Sequence, residues 1–315
     1  VTQAFILGAG LGTRLKALTE SLPKPLIPVY QKPLITYAFD HLIEVGIDQF
    51  MINTHHCPDE YTTAFPDSTY RGASLAFRNE VELLETAGGI ANIADWLPRD
   101  ESFVVYNGDI LTDMPLQPLL DAHAASGNLV TLALRSQGDA LQVGFDADSG
   151  RVVDVRNYLH SGCETLYQFT GVYVVDPAFM DFLTPGKKES VVLPFLEVIK
   201  DSGRLGGAVV DGGEWSDLGT REAYLRANAS LAGGDFPSYG AQTEQQRFHP
   251  TAKIHPDAFV GPVSSIGADC EVGADAKLDN SILWPGAKVA EGTSLRNCVV
   301  RSGQTATGVL VDEDI

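Results

Sequence analysis

Residues able to grip phosphate gather near the N-terminus. The segment "FILGAGLGTRL", Phe5 to Leu15, carries Gly8, Gly10 and Gly12 between an apolar run and Arg14, and Lys24 follows between Pro23 and Pro25. Glycines permit positive φ and close backbone approach, so several N–H groups of one loop can point at a single anion. The guanidinium of Arg14 suits phosphate oxygens in a fixed fork. Lys24, restricted by a proline on each side, is a point charge with little freedom to wander. The spacing G-x-G-x-G-T-R is neither the P-loop nor the G-x-G-x-x-G dinucleotide pattern. Carboxylates belong to the same chemistry. "FVVYNGD" ends in Asn107, Gly108 and Asp109. An aspartate just past a buried strand can hold a divalent cation whose shell phosphates complete. Asp217 in "WSDLGT" is the second candidate, with helix capping before "TREAYLRAN" as its alternative role. Asp113 reads as the cap of a helix starting near Met114.

Short apolar runs alternating with amphipathic ones must position these groups. Strands are predicted at 3–7, 49–53, 103–106, 129–134 and 166–175, and helices at 34–45, 114–125 and 192–202. Such alternation predicts an α/β fold with a mostly parallel, Rossmann-like sheet covered on both faces, with ligands at the carboxyl edge of its strands. "QVGFDADSGRVVDV", from Gln142, reads as a hairpin turning at Asp148–Gly150. The turn-rich stretch 231–250 reads as a linker, giving domains of 1–230 and 251–315. In the second domain Ile254, Val260, Ile266, Val272 and Leu278 recur every six residues, and after a one-residue slip Leu283, Val289 and Leu295 continue. That period fits a triangular coil of short parallel strands, here about two and a half turns. A coil so short needs a cap or a partner surface, so a homodimer is expected, which light scattering would detect.

Composition narrows the partners. The chain has 315 residues, 44% of them hydrophobic, with 31 glycines and a net charge of −19. This is the balance of an ordered globular protein, and the acidity argues against nucleic acid bound by general phosphate neutralisation. No stretch reaches the roughly 18 apolar residues of a membrane span, and no signal peptide precedes Phe5, so no membrane partner and a cytoplasmic location are expected. Cys57, Cys163, Cys270 and Cys298 are widely spaced and read as reduced core residues.

The segment "LGAGLGTRLKALTESLPKPLIPV", followed by "YNGDILTD" and "WSDLGTREAYLRAN", resembles the signature of the sugar-nucleotide pyrophosphorylases, or sugar-1-phosphate nucleotidyltransferases. The six-residue repeats resemble the C-terminal left-handed β-helix of several members, mannose-1-phosphate guanylyltransferases among them. The resemblance implies transfer of a nucleotidyl group from an NTP to a sugar 1-phosphate, with Arg14 and Lys24 on the phosphates and Lys24 near the transferred one. It implies Mg²⁺ shared by Asp109 and Asp217. Nucleotide contacts are implied at Leu7, Gly8, Ala9, Gly10, Gly12, Thr13, Arg14 and Asn107. In "ELLETAGGIANI" Gly88 and Gly89 are expected just ahead of a helix, where a flat ring could lie, so Thr86, Ala87 and Gly88 are implied base contacts. Gly108 and Gly171 are implied at the sugar.

One departure stands out. Many relatives carry a Glu-Lys-Pro segment before the strand that holds Gly171, but here the region reads "VRNYLHSGCETLYQFTG" and no lysine occurs between Lys32 and Lys187. Glu164 is the candidate for sugar hydroxyls, and Arg156 or His160 for the sugar phosphate. The β-helix and "SILWPGAKV" resemble the guanylyltransferase branch, which implies GTP with mannose 1-phosphate. "LLETAGGI" and the missing lysine resemble instead the compact uridylyltransferases, which implies UTP with N-acetylmuramate or N-acetylglucosamine 1-phosphate; a glucose 1-phosphate enzyme is the remaining alternative. A non-catalytic homologue or a β-helix acyltransferase are the readings from other classes.

Overall fold

The apolar runs near residues 5, 50 and 105 become adjacent strands of one ten-stranded sheet in this computed structural model, which describes residues 1–234, 237 and 247–315. Two compact units divide the chain, one made of Val1–Gly10 and Ala38–Trp215, the other of Leu11–Tyr37 and Ser216–Ile315. The N-terminal segment thus enters the second unit together with the C-terminal repeats, a grouping that cuts across the sequence division at residues 230 and 250.

In the first unit the strands lie in the order Leu141–Asp146, Arg151–Val155, Leu205–Val209, Val130–Arg135, Leu166–Val175, Phe103–Asn107, Gln3–Leu7, Gln49–Thr54, Ala73–Asn79 and Thr69–Tyr70. Gln3–Leu7 pairs in parallel with Gln49–Thr54 on one side and Phe103–Asn107 on the other, so the chain leaves two neighbouring strands at Leu7 and Asn107 on one edge. Leu166–Val175 runs antiparallel to both its neighbours, which makes the sheet mixed around a Rossmann-like parallel centre. Strand alternation puts Phe5, Val105 and Tyr173 on one buried face, where Ile90 of the helix Glu85–Asn92 and Phe195 of the helix Val192–Asp201 pack against them. On the other face His41, from the helix Ile35–Ile43, bonds the Tyr106 hydroxyl at 3.0 Å.

Several sequence expectations shift. The helix expected from Met114 begins at Gln117, after Pro115, and its N-terminus has no side-chain cap. Asp113 instead accepts the Glu214 N–H at 2.7 Å, pinning two loops together. Gly88 and Gly89 lie inside the helix Glu85–Asn92 rather than ahead of it. Of the expected linker 231–250, residues 235, 236 and 238–246 lie outside the described residues, while 231–233 complete the helix Arg221–Gly233.

In the second unit the repeats wind into a left-handed parallel β-helix of three sheets, two with four strands and one with three. Ile254 pairs with Val272 and Val272 with Val289, so the predicted aliphatic residues stack, and Leu278, Leu283 and Leu295 are buried with them. The coil is longer than the expected two and a half turns, because Val300, Ala306 and Leu310 extend it without the aliphatic regularity of the earlier rungs. Three glycines of the repeat are there for space. A Cβ on Gly267 would lie 2.8 Å from the Pro285 nitrogen, and one on Gly273 2.6 Å from the Glu291 nitrogen, both backbone of the next rung. Gly261 is less tight, with the Leu278 carbonyl oxygen at 3.0 Å.

The coil finds its cover within its own unit. Trp284 donates to the Tyr224 hydroxyl at 2.9 Å, Arg221 pairs with Asp314 at 2.7 Å, and Gln31 donates to the Ile266 carbonyl at 2.6 Å. Cys270 and Cys298 are buried in it, whereas Cys57 and Cys163 are only half-buried, so the core reading fits two of the four; all four are free thiols.

Candidate active site

The candidate site residues fall into two groups, one in each unit. In the second unit Gly12 takes the left-handed conformation at φ 61°, and a Cβ there would meet the Lys24 and Thr19 side chains at 3.0 Å. Glycine is therefore needed both for the turn and for the close passage of Lys24. Thr19 closes the same turn by donating to the Gly12 carbonyl at 3.0 Å. Lys24 opens a short 3₁₀ turn, Lys24–Leu26, between its two prolines and is only 4% exposed, so its ammonium is held rather than swept through solvent. Both cations reach Asp217: Lys24 Nζ at 3.2 Å from Oδ1, and Arg14 at 3.4 Å from Oδ2. A negatively charged oxygen pair thus already sits where two cations converge. Capping does not explain Asp217, because Thr220 caps the helix Arg221–Gly233 by accepting the Ala223 N–H. Thr13 begins the turn that carries Arg14.

In the first unit a cavity of about 290 Å³ opens at the carboxyl edge of the sheet, lined by Leu7, Ala9, Gly10, Thr86, Asn107 and Asp109 among others. Six of the residues implied for nucleotide or metal are therefore brought together. Gly10 has open space beside its Cα. Gly8 behaves differently from the expectation of a phosphate-facing amide: its N–H donates to Asn53 Oδ1 at 2.7 Å, and its carbonyl accepts from the Tyr61 hydroxyl at 2.9 Å. Its missing side chain makes room for Asn53 and Tyr61, each under 3 Å from a Cβ there.

Of the three expected base contacts only Thr86 lines the cavity. Ala87 and Gly88 are buried, with the Ala87 N–H on the Glu189 carbonyl, and a Cβ on Gly88 would fall 2.3 Å from the Lys187 carbonyl oxygen. Those small residues seat the helix against the 187–189 segment. Gly108 likewise lets neighbouring strands close, since its N–H donates to the Leu7 carbonyl at 3.0 Å. Gly171 sits at φ 84°, and a Cβ would lie 2.5 Å from the Asn107 amide. The sequence reading missed Asn53, Leu83, Glu85 and Ser190, which also line the cavity. Glu85 carries the one audible signal, an acid directly before Thr86; it adopts φ 59° at the cavity, a conformation that favours glycine.

A second cavity in the same unit, about 580 Å³, is lined by Gln142, Gly144, Asp154, Arg156, Asn157, Ser161 and Cys163 among others. It lies in the region that lacks the family lysine. Arg156 borders it, while Glu164 and His160 do not. Asp154 is committed to the loop: it accepts the Leu159 and Ser161 N–H groups at 3.1 Å, and these bonds hold its carboxyl below the usual range against the opposing effect of burial.

Residues 3–233 match the family model described as Nucleotidyl transferase. The chain belongs to the nucleotidyl transferase family. Residues 243–308 of this transferase match the model of the GMPPB C-terminal domain. The mannose-1-phosphate guanylyltransferase of Mycobacterium tuberculosis is 30% identical to it over 304 residues, with 92% of this chain and 81% of the relative covered. A UTP–glucose-1-phosphate uridylyltransferase of Synechocystis is 28% identical over 241 residues, with 71% of this chain and 62% of the relative covered. Among solved structures, HddC from Yersinia pseudotuberculosis complexed with GMP-PN shares the fold with a TM-score of 0.59 at 22% identity, covering 72% of this chain and 98% of that one. The transferase is an enzyme of nucleotide-sugar biosynthesis whose activity class is nucleotidyl transfer to a sugar 1-phosphate. No helix among the described residues is long and apolar enough to cross a membrane.

The family implies Mg²⁺, and the donor set fits it. Among the described residues no three His, Cys, Asp or Glu side chains form a metal cage. Mg²⁺ does not need one: it is bound by one or two carboxylates, with phosphate and water completing its shell. The Asp109 carboxylate at the cavity is such a donor.

Proposed function

We propose that the transferase joins GTP to mannose 1-phosphate, giving GDP-mannose and pyrophosphate. The observation that supports this choice is the length of the resemblance: the guanylyltransferase relative covers 92% of the chain, β-helix included. The uridylyltransferase relative covers 71%, and keeps a UTP-dependent reading as the second one.

In the reaction an oxygen of the sugar phosphate attacks the α-phosphorus of the NTP. A new P–O bond forms, the bond from that phosphorus to the oxygen bridging toward the β-phosphate breaks, and pyrophosphate leaves with the electron pair. The attacking oxygen is already ionised, so no general base is required. Catalysis is alignment and charge stabilisation. Arg14 grips the triphosphate, and Lys24 offsets the charge that grows on the transferred group. Their shared contact with Asp217 is what a phosphate would compete with or extend. Asp109 in the first unit and Asp217 in the second are the carboxylate candidates for Mg²⁺, which supplies Lewis-acid stabilisation of the phosphate oxygens when bound. Leu7, Ala9, Gly10, Thr86 and Asn107 shape the nucleotide cavity. Arg156 takes the role of the absent lysine toward the sugar phosphate in the larger cavity, with Gly171 beside Asn107 keeping the adjoining strand close.

The test is a grid of pyrophosphate release, five NTPs against mannose, glucose, N-acetylglucosamine and N-acetylmuramic acid 1-phosphates. GTP with mannose 1-phosphate should give the highest kcat/KM. A higher value for UTP with any sugar would move the assignment to the second reading.

A further inference from the structure

Beneath the nucleotide cavity lies a buried carboxylate that neither the phosphates nor a metal accounts for. Glu80 follows the strand Ala73–Asn79 and is only 3% exposed. Its Oε1 accepts from Asn53 Nδ2 at 2.7 Å, and its Oε2 accepts from the Leu84 N–H at 2.9 Å. Asn53 in turn accepts the Gly8 N–H on its Oδ1 at 2.7 Å. The chain of bonds therefore runs from Leu84 through Glu80 and Asn53 to Gly8. Because the Gly8 N–H requires an acceptor and the carboxylate a donor, only one orientation of the Asn53 amide satisfies both ends.

Each end is flanked by residues that line the cavity. Gly8 lies between Leu7 and Ala9, and Leu84 between Leu83 and Glu85, and all four of those neighbours line it. Tyr61 grips the other face of the Gly8 peptide, and burial, reinforced by the Asp109 charge, keeps its phenol protonated far above neutral pH, so it stays a donor. Gly89 leaves the room: a Cβ there would lie 3.1 Å from both Asn53 Nδ2 and Glu80 Oε1. A buried carboxylate costs stability unless every lone pair it presents is met, so a site that retains one gains register from it.

We infer that Glu80 is a positioning residue that sets the width of the nucleotide cavity by tying the Gly8 turn to the start of the helix Glu85–Asn92. The inference rests on the reading of this cavity as the nucleotide site. Glu80→Gln breaks the chain, because its single amide oxygen cannot accept from both Asn53 and Leu84 and its NH₂ must face a donor. The double variant Asn53→Asp with Glu80→Gln rebuilds the chain with polarity reversed at one bond. The carboxylate now at position 53 accepts from the Gly8 N–H and from the amide NH₂ now at position 80. The amide oxygen at position 80 accepts from the Leu84 N–H, and total charge is unchanged.

Calorimetric affinity for GTP and for UTP in the presence of Mg²⁺, and KM for both substrates, should be measured on folded wild type, the single variant and the double variant. Glu80→Gln should weaken NTP binding about tenfold, the scale of one lost charged hydrogen bond. It should leave KM for the sugar 1-phosphate unchanged, and the double variant should restore NTP affinity. A merely structural role would lower the melting temperature without separating the two KM values. Folded Glu80→Gln with wild-type NTP affinity, or a folded double variant no better than the single one, would overturn the inference. If Glu80→Gln does not fold, the double variant decides: NTP affinity near wild type supports the tie, and weak affinity overturns it. Wild type that binds neither nucleotide would instead remove the reading of the cavity itself, and the inference with it.

Discussion

At the scale of single residues, Lys24 shows what the letters announce and what they withhold. A lysine between two prolines after a glycine loop is visible in the sequence as a fixed cation. Its partner is not, because the contact with Asp217 spans 193 positions. If Lys24 acts as proposed on the transferred phosphoryl group, Lys24→Ala should lower kcat by about 10²–10³-fold with a smaller change in KM. Steady-state kinetics on folded variant protein checks this; a change confined to KM would make Lys24 a ground-state contact only. His41 is a residue whose state only the structure shows. Burial lowers its pKa to about 4 from 6.5, although the hydrogen bond to the Met114 carbonyl and the nearby Asp113 charge pull the other way. The unfolded chain therefore takes up the proton first. Stability from this group is complete above about pH 6.5 and is lost as pH falls toward 4, by about 3 kcal/mol at most. An imidazole NMR titration should show His41 neutral at pH 5; a midpoint near 6.5 would contradict the burial argument.

At the scale of elements, period carried more information than composition. The strand 3–7 and the strand 166–175 match Gln3–Leu7 and Leu166–Val175, because continuous apolar runs leave little choice of boundary. The six-residue step located the coil for the same reason, and lost its last strands where Ala306 replaces an aliphatic. The pair Gly88–Gly89 misled, since two glycines inside a helix contradict propensity and are offset by packing on the 187–189 backbone and by the space left for Glu80. The direction of Leu166–Val175 was equally illegible, as an apolar strand reads alike both ways. Gly267 tests the coil: Gly267→Ala drives a methyl into the Leu283–Pro285 backbone, and should destabilise by about 1–3 kcal/mol. Chemical denaturation measures it, and an unchanged midpoint would mean that the rungs can separate at no cost.

At the scale of the whole molecule, four cations of the acidic chain are held by partners distant in sequence. Lys24 is buried, Arg14 leans on Asp217, and Arg221 and Arg301 anchor the β-helix to the helix Arg221–Gly233 and to the turn at Ala17. Sequence spacing could not show that Leu11–Tyr37 joins the C-terminal repeats in one unit, because the contacts that do so are single long-range hydrogen bonds. What the sequence did announce is the chemistry, since a glycine loop, two cations and two carboxylates are identities rather than arrangements. Nucleotidyl transfer is read out at the α-phosphorus of the NTP. With GTP or UTP labelled at that atom, Mg²⁺ and mannose or N-acetylmuramic acid 1-phosphate, the label should move into an NDP-sugar, while label at the γ-position should leave as pyrophosphate. Label that stays in the NTP, or is released as NMP whether or not the sugar phosphate is present, would contradict the account.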